Sequence, residues 1–342
     1  MKIWAFRFAA TLLLALTISP APARADLFVS SSFNDSVKEY NGNTGAFVTD
    51  FVPSGSGGLD RPEGLVFGPN GNLFVSSYLT SSVLEYNGTT GAFVTAFVPQ
   101  QSGGLTGPVG LAFGPNGNLF VSNFVSGSFG SVLEYNGATG AFVTAFVPRL
   151  ESAAILPEGL VFGPNGNLFV SSLDRRVLEY NGTTGAFVTA FVPTGSGGLL
   201  DNTGLVFGPN GNLFVSSITR QVLEYSGTTG AFVTPFVPTG SGGLAGPVGL
   251  AFGPNGNLFV SSFAESGGFP FANSVLEYNG TTGAFVTAFV SPLSGGLAGP
   301  TYLAFSPGAP VSSVPEPASL FLFGSGLVGL VGWLAWRNRS HR

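Results

Sequence analysis

Gly64-Leu65-Val66-Phe67-Gly68-Pro69-Asn70-Gly71-Asn72-Leu73-Phe74-Val75-Ser76-Ser77 decides how the chain is read. Its Gly-Pro-Asn-Gly-Asn core returns at Gly114, Gly163, Gly208 and Gly253, at spacings of 46, 49, 45 and 45 residues. A fixed period of that length marks a solenoid, a propeller or an array. Each cassette holds four short runs, in the first complete copy residues 64–67, 73–77, 83–86 and 92–98. They are rich in Phe, Val, Leu, Thr and Tyr, residues that suit a pleated, covered surface, and each is too short for a helix. Asn70-Gly71 joins the first two runs and Asn87-Gly88 the last two, because Asn-Gly supplies the positive φ of a tight hairpin. Four antiparallel strands per repeat is a propeller blade.

The runs are apolar at both parities, and 92–98 shows no polar face, so the expectation is blades stacked face to face, each covering its neighbour. Strands two, three and four each occur six times. Strand one occurs five times between residues 65 and 250 and once more, alone, at 302–305. The repeating part therefore starts with strand two and ends with strand one. The predicted fold is an all-β, six-bladed propeller over residues 26–306, its sixth blade closed by the N-terminal strands plus the C-terminal one, which locks the ring without a disulfide. The chain has no Cys, so as an exported domain it has no disulfide and its fold must rely on core and ring closure.

These blades, with Gly-Asn-Leu-Phe-Val in strand two and Val-x-x-Tyr in strand three, resemble the NHL-type six-bladed propellers. Many NHL blades carry Asp where this chain has Ser76 or Ser77, a departure expected to remove the polar chemistry of that Asp. The resemblance implies a fold and leaves function open.

Residues 1–25 read as a secretory signal: Lys2 and Arg7, an apolar stretch over 8–18, and a small-x-small cleavage site with Ala23 and Ala25. Residues 307–319 form a linker containing Val314-Pro315-Glu316-Pro317. Residues 320–336 form an apolar segment about 25 Å long as a helix, long enough for a short membrane span. Residues 337–342 form a basic tail with Arg337, Arg339 and Arg342, which the positive-inside rule puts in the cytoplasm. This ordered trio resembles the PEP-CTERM sorting signal of Gram-negative bacteria. The resemblance implies export through the inner membrane, anchoring by the helix, recognition by an exosortase, removal of the anchor near Glu316, and delivery to the cell surface or extracellular matrix.

Residues 26–313 hold six Lys or Arg and sixteen Asp or Glu, a net charge of −10, which argues against nucleic acid or an anionic membrane surface as partner. The only His is His341, so the propeller has no imidazole and no thiol for acid–base, nucleophilic or metal chemistry. Strand order puts the two Asn-Gly hairpins on one face of the ring and the length-varying loops on the other. The variable face holds most charges outside strand three and is the candidate binding surface. There Glu63 and Glu158 precede the Gly-Leu that starts an inner strand, near the channel mouth. The matching residues of the other blades are Val109, Thr203, Val248 and Thr301. A similar placement in propellers resembling the senescence-marker-protein lactonases implies an oxygen-only Ca²⁺ or Mg²⁺ site, here Glu63 and Glu158 with Asn123, Asp201 and Asn202. The repeated strand-three Glu lies outside the channel and reads as architecture. Two functions follow from these residues. The first is a non-catalytic binding or structural module with an extracellular polysaccharide or protein on the variable face and no cofactor. The alternative is a Ca²⁺-dependent lactonase or lyase.

Overall fold

In the computed structural model the described residues are 25–124, 129–149, 155–263 and 272–307. The signal at 1–25 (but for Ala25), the linker from 308 on, the membrane helix at 320–336 and the basic tail at 337–342 lie outside them. Among the described residues no helix is long and apolar enough to cross a membrane. Residues 25–307 form one compact unit.

Twenty-four strands, β1 to β24 in chain order, form six four-stranded antiparallel sheets. A complete blade is β4 (Pro62–Phe67), β5 (Leu73–Ser77), β6 (Ser82–Tyr86) and β7 (Phe93–Val98), in spatial order 4-5-6-7. The inner strands of the next four blades are β8 (Pro108–Phe113), β12 (Pro157–Phe162), β16 (Leu205–Phe207) and β20 (Gly246–Phe252). The remaining blade is β24 (Pro300–Phe305) beside β1 (Leu27–Ser31), β2 (Ser36–Tyr40) and β3 (Phe47–Val52), in the order 24-1-2-3. The two ends of the unit thus complete one sheet. Leu27 pairs with Phe305, Phe28 with Ala304 and Val29 with Leu303. Beyond the register, the Asp26 amide donates to Ser306 Oγ at 3.0 Å and the Ser306 amide to Asp26 O at 2.9 Å.

The core lies between blades rather than within one. Phe74 of strand two is fully buried and meets Phe97 of its own blade and Phe113 of the next, edge to face, at 4.8 and 5.1 Å. The motif repeats around the ring and crosses the seam as Phe259–Phe305 at 5.0 Å and Phe28–Phe67 at 5.2 Å. Each such pair contributes about 0.5–1.5 kcal/mol beyond its area. Two sequence expectations need correction here. The outermost strand is covered only at its end: Phe93 to Ala96 are exposed while Phe97 and Val98 are buried, because blades splay apart with distance from the axis. And the second hairpin takes its positive φ at Gly91 (+67°), not at Gly88. Gly88 is needed for space, since a Cβ there would sit 1.8 Å from Gly71 O.

The repeated polar residues hold this frame. Asn70 and Asn72 donate their side-chain amides to Glu85 Oε1 at 2.9 and 2.7 Å, tying the first hairpin to strand three. The arrangement recurs at Glu134, Glu179, Glu224 and Glu277. Ser76, where many NHL blades have Asp, carries hydrogen bonds of its own. It accepts from the Gly64 amide at 2.8 Å and donates to Val109 O of the next blade at 2.9 Å. Ser122, Ser171, Ser216 and Ser261 do the same, ending on Glu158, Thr203, Val248 and Thr301 carbonyls. At the sixth junction the link is Thr301 Oγ1 to Glu63 O at 3.1 Å, while Ser30 Oγ has no partner. Replacing Ser122 by Ala strands the Gly110 amide and the Glu158 carbonyl, both buried in the blade junction. The expected loss is about 1–3 kcal/mol, read as a lower denaturant midpoint at unchanged slope.

Candidate functional site

Inner strands crowd the axis, and the residue two places into each is usually glycine because the next blade is in contact. A Cβ on Gly64 would meet Val109 O at 2.1 Å, and one on Gly249 would meet Tyr302 Cα at 2.8 Å. The residue just before that glycine faces the axis on the variable side. Glu63, Val109, Glu158, Thr203, Val248 and Thr301 all line one pocket of about 320 Å³. Every blade therefore contributes to a single axial site. Its rim comes from the exits of strand two: Phe33, Tyr78, Phe124, Leu173, Ile218 and Phe263, with Arg61 and Asp201 from the loops between blades.

The two carboxyl groups differ in their surroundings. Arg61 Nε donates to Glu63 Oε1 at 3.1 Å while its guanidinium lies over the Tyr78 ring, 4.8 Å from the centroid. Glu158 makes no hydrogen bond or ion pair through its side chain among the described residues. Burial pushes Glu63 up to about 7, with Arg61 acting in the opposite direction. Burial and the neighbouring Glu63 push Glu158 up to about 8. Both carboxyls are therefore biased toward the protonated form relative to an exposed glutamate.

One residue next to this ring, outside the pocket lining, was not foreseen. Tyr302 stands where the other five blades have Gly64, Gly110, Gly159, Gly204 and Gly249. Its hydroxyl is buried without a hydrogen-bond partner, and burial, Glu158 and Glu63 all raise its pKa well above the ordinary value. One tyrosine in a column of five glycines is a signal the repeat alignment contains. The rim was also legible: the residue after Ser-Ser or Ser-Asn is apolar or aromatic in five blades, Tyr78, Phe124, Leu173, Ile218 and Phe263.

Of the five residues assigned to a cation site, the structure brings Glu63, Glu158 and Asp201 to this pocket and takes two elsewhere. The Asn123 side-chain oxygen accepts from the Thr106 and Gly107 amides at 2.8 and 3.2 Å, and its nitrogen donates to Gly104 O at 3.1 Å. Asn123 lines a separate pocket with Ser131 and Arg149. The Asn202 nitrogen donates to Arg176 O at 2.9 Å, and its side-chain oxygen is buried without a partner. A Ca²⁺ ion takes six to eight oxygens. With Glu63 held by an arginine and both asparagines turned into the framework, the donors do not fit such a cage. Among the described residues no three His, Cys, Asp or Glu side chains gather as a metal site.

Comparison with known proteins agrees with this architecture. Residues 313–340 match the family model of the PEP-CTERM protein-sorting motif. No curated protein sequence matches the chain. Among solved structures it is similar to a protein of unknown function from Bacteroides caccae (14% identity, 83% of this chain and 99% of that one, TM-score 0.60). It is similar to a chain of a nidogen/laminin complex (13%, 84% and 100%, 0.62) and to a gluconolactonase from Xanthomonas campestris (16%, 69% and 79%, 0.54). At such identities the likeness carries the fold alone. The chain is a six-bladed β-propeller, related in shape to lactonase-like propellers, that bears a PEP-CTERM protein-sorting motif at its C-terminal end.

Proposed function

We propose that this protein is an exported, non-catalytic binding module that holds a unit of an extracellular polysaccharide in the axial pocket of its variable face. The sorting motif implies export and membrane anchoring before exosortase processing. A Gram-negative envelope, with final delivery to the cell surface or matrix, is the setting this reading adds. The observation that carries it is the pocket: about 320 Å³, fed by all six blades, with an apolar and aromatic rim over a ring of carboxyl, hydroxyl and valine side chains. That volume and mixture suit a small ligand or one polymer unit, and aromatic faces stack against the apolar faces of sugar rings. The absence of His and Cys from residues 26–307 favours holding over reacting.

The test removes the rim. Tyr78→Ala/Phe124→Ala trims side chains at the pocket edge and leaves the blade cores intact. Retention of native extracellular polysaccharide on immobilised protein should fall at least about tenfold, the scale of one lost aromatic contact or two. Unchanged retention would place binding elsewhere. Retention of envelope proteins in place of polysaccharide would replace the ligand class.

A further inference from the structure

Copies of one short sequence face outward all round the ring. The fourth strands are β3, β7, β11 (Phe142–Val147), β15 (Phe187–Val192), β19 (Phe232–Val237) and β23 (Phe285–Val290). Each ends its sheet, so among the described residues each is paired on one side only. All six begin Phe-Val-Thr. The Phe is partly held by the strand-three Tyr, as Phe93 is by Tyr86 at 5.9 Å. The Val stands half in water: Val48, Val94, Val143, Val188, Val233 and Val286 are each 48–51% exposed. A strand asks for a β-branched residue there, not an apolar one, and Thr would serve. The exposed loops after strand two differ between blades, as in Tyr78-Leu79-Thr80, Leu173-Asp174-Arg175 and Ile218-Thr219-Arg220. The exposed Val is the same in every blade.

Edge strands are commonly guarded by charge, by proline or by bulges that twist the edge. Every outer pair here has register shifts. Only two have a further guard: Asp50 in β3, paired with Lys38, and Pro235 in β19. Both stand at the position where β7, β11, β15 and β23 have Ala96, Ala145, Ala190 and Ala288. Those four edges are uncharged, although residues 26–313 carry a net charge of −10. A second copy approaching at the perimeter therefore avoids the like-charge repulsion that the variable face would impose.

We propose that this protein associates with further copies of itself, edge to edge, through the open outer strands β7, β11, β15 and β23. The edges are copies of one another, so each can serve as the other's complement. An antiparallel contact relates two of them by a two-fold axis and covers the exposed Phe and Val of both. A single pair of six-residue edges falls short of the roughly 1,200 Å² of a stable interface, so one contact holds weakly. Four on one ring act together, and assembly of many copies is favoured over a dimer. The perimeter is separate from the axial pocket, so the proposal does not depend on what the pocket holds.

The test charges the open edges. Val94→Lys/Val143→Lys/Val188→Lys/Val286→Lys changes side chains already half in water, and its melt should match that of the wild type. The full chain in mild detergent is sedimented from about 1 to 200 µM, the range of a weak interface. Wild type should grow from single chains to species of several chains, and the variant should need at least about tenfold more protein to do so. Both keep the C-terminal apolar segment, so association through it would not separate them. The chain has no Cys, so a single Thr95→Cys supplies the only thiol. It should form disulfide-linked dimers at least about tenfold faster than Thr89→Cys on the hairpin face, because edge pairing raises its effective concentration. Wild type that stays single throughout, equal association of the two proteins, or equal cross-linking at residues 89 and 95 overturns the proposal. So does association that begins only when native polysaccharide is added, which would give the perimeter to the polymer.

Discussion

A chain that ends at Gly299 should fail to form the ring, while one that ends at Pro307 should melt like the full protein. The difference is eight residues, and six of them, Pro300–Phe305, are the inner strand of the seam blade. β24 pairs with β1 and packs against the inner strands on both sides, β20 and β4. Leu303 and Phe305 belong to the cluster that joins the seam blade to its neighbour, and Thr301 supplies the link to Glu63 O. Two large apolar side chains of this kind contribute about 1.5–3 kcal/mol each. Losing β24 also uncovers the edge of β1 and the faces of Phe259 and Phe28. The total approaches the roughly 5–15 kcal/mol by which a domain is stable at all. Circular dichroism and a thermal melt decide it. A cooperative transition in the Gly299 chain would mean that the ring closes without this strand.

Glu158→Gln should stabilise the protein at pH 9 and leave it unchanged at pH 5. The folded protein holds Glu158 at about 8, against an ordinary value near 4.5. A carboxyl raised in the folded state contributes stability that is complete below the unfolded pKa. That contribution is lost as pH climbs through the folded one. Between pH 4.5 and about 8 the wild type should therefore weaken relative to the variant. Above 8 the gap should be on the order of 2–4 kcal/mol, given that the group is partly open to the pocket and screened there. Glu63→Gln should act in the same direction with a smaller effect, since Arg61 compensates part of its burial. Paired melts at pH 5, 7 and 9 measure both. A variant less stable than wild type at pH 9 would show that the ionised Glu158 is already paired.

The ring and its closure could be read from the sequence because hairpin chemistry and apolar runs are local, and six near-copies repeat the message. The column of Glu63, Val109, Glu158, Thr203, Val248 and Thr301 follows from aligning those copies. What alignment does not show is the partner of a side chain. Asn123 and Glu158 look alike as polar residues near the axis, yet one is spent on three backbone groups and the other is left facing a cavity. Tyr302 escaped because attention to repeats favours what recurs, and it is the exception in its column. The role of Ser76 was not legible for a related reason: a hydroxyl is small, but at the blade junction it is placed between a donor and an acceptor from two strands. The exposed outer strands follow from the geometry of the ring, which no single cassette contains.

The split blade also sets an order of events for secretion. Five blades are contiguous in the chain and can zip up as they emerge from a translocation pore. The sixth waits with β1 to β3 displayed and unmatched until Phe305 has passed. The last strand ends only eight residues before the matched motif begins at 313. Completion of the ring and arrival of the sorting signal are thus nearly simultaneous. A cut within that motif would release a propeller whose closing strand is already in place.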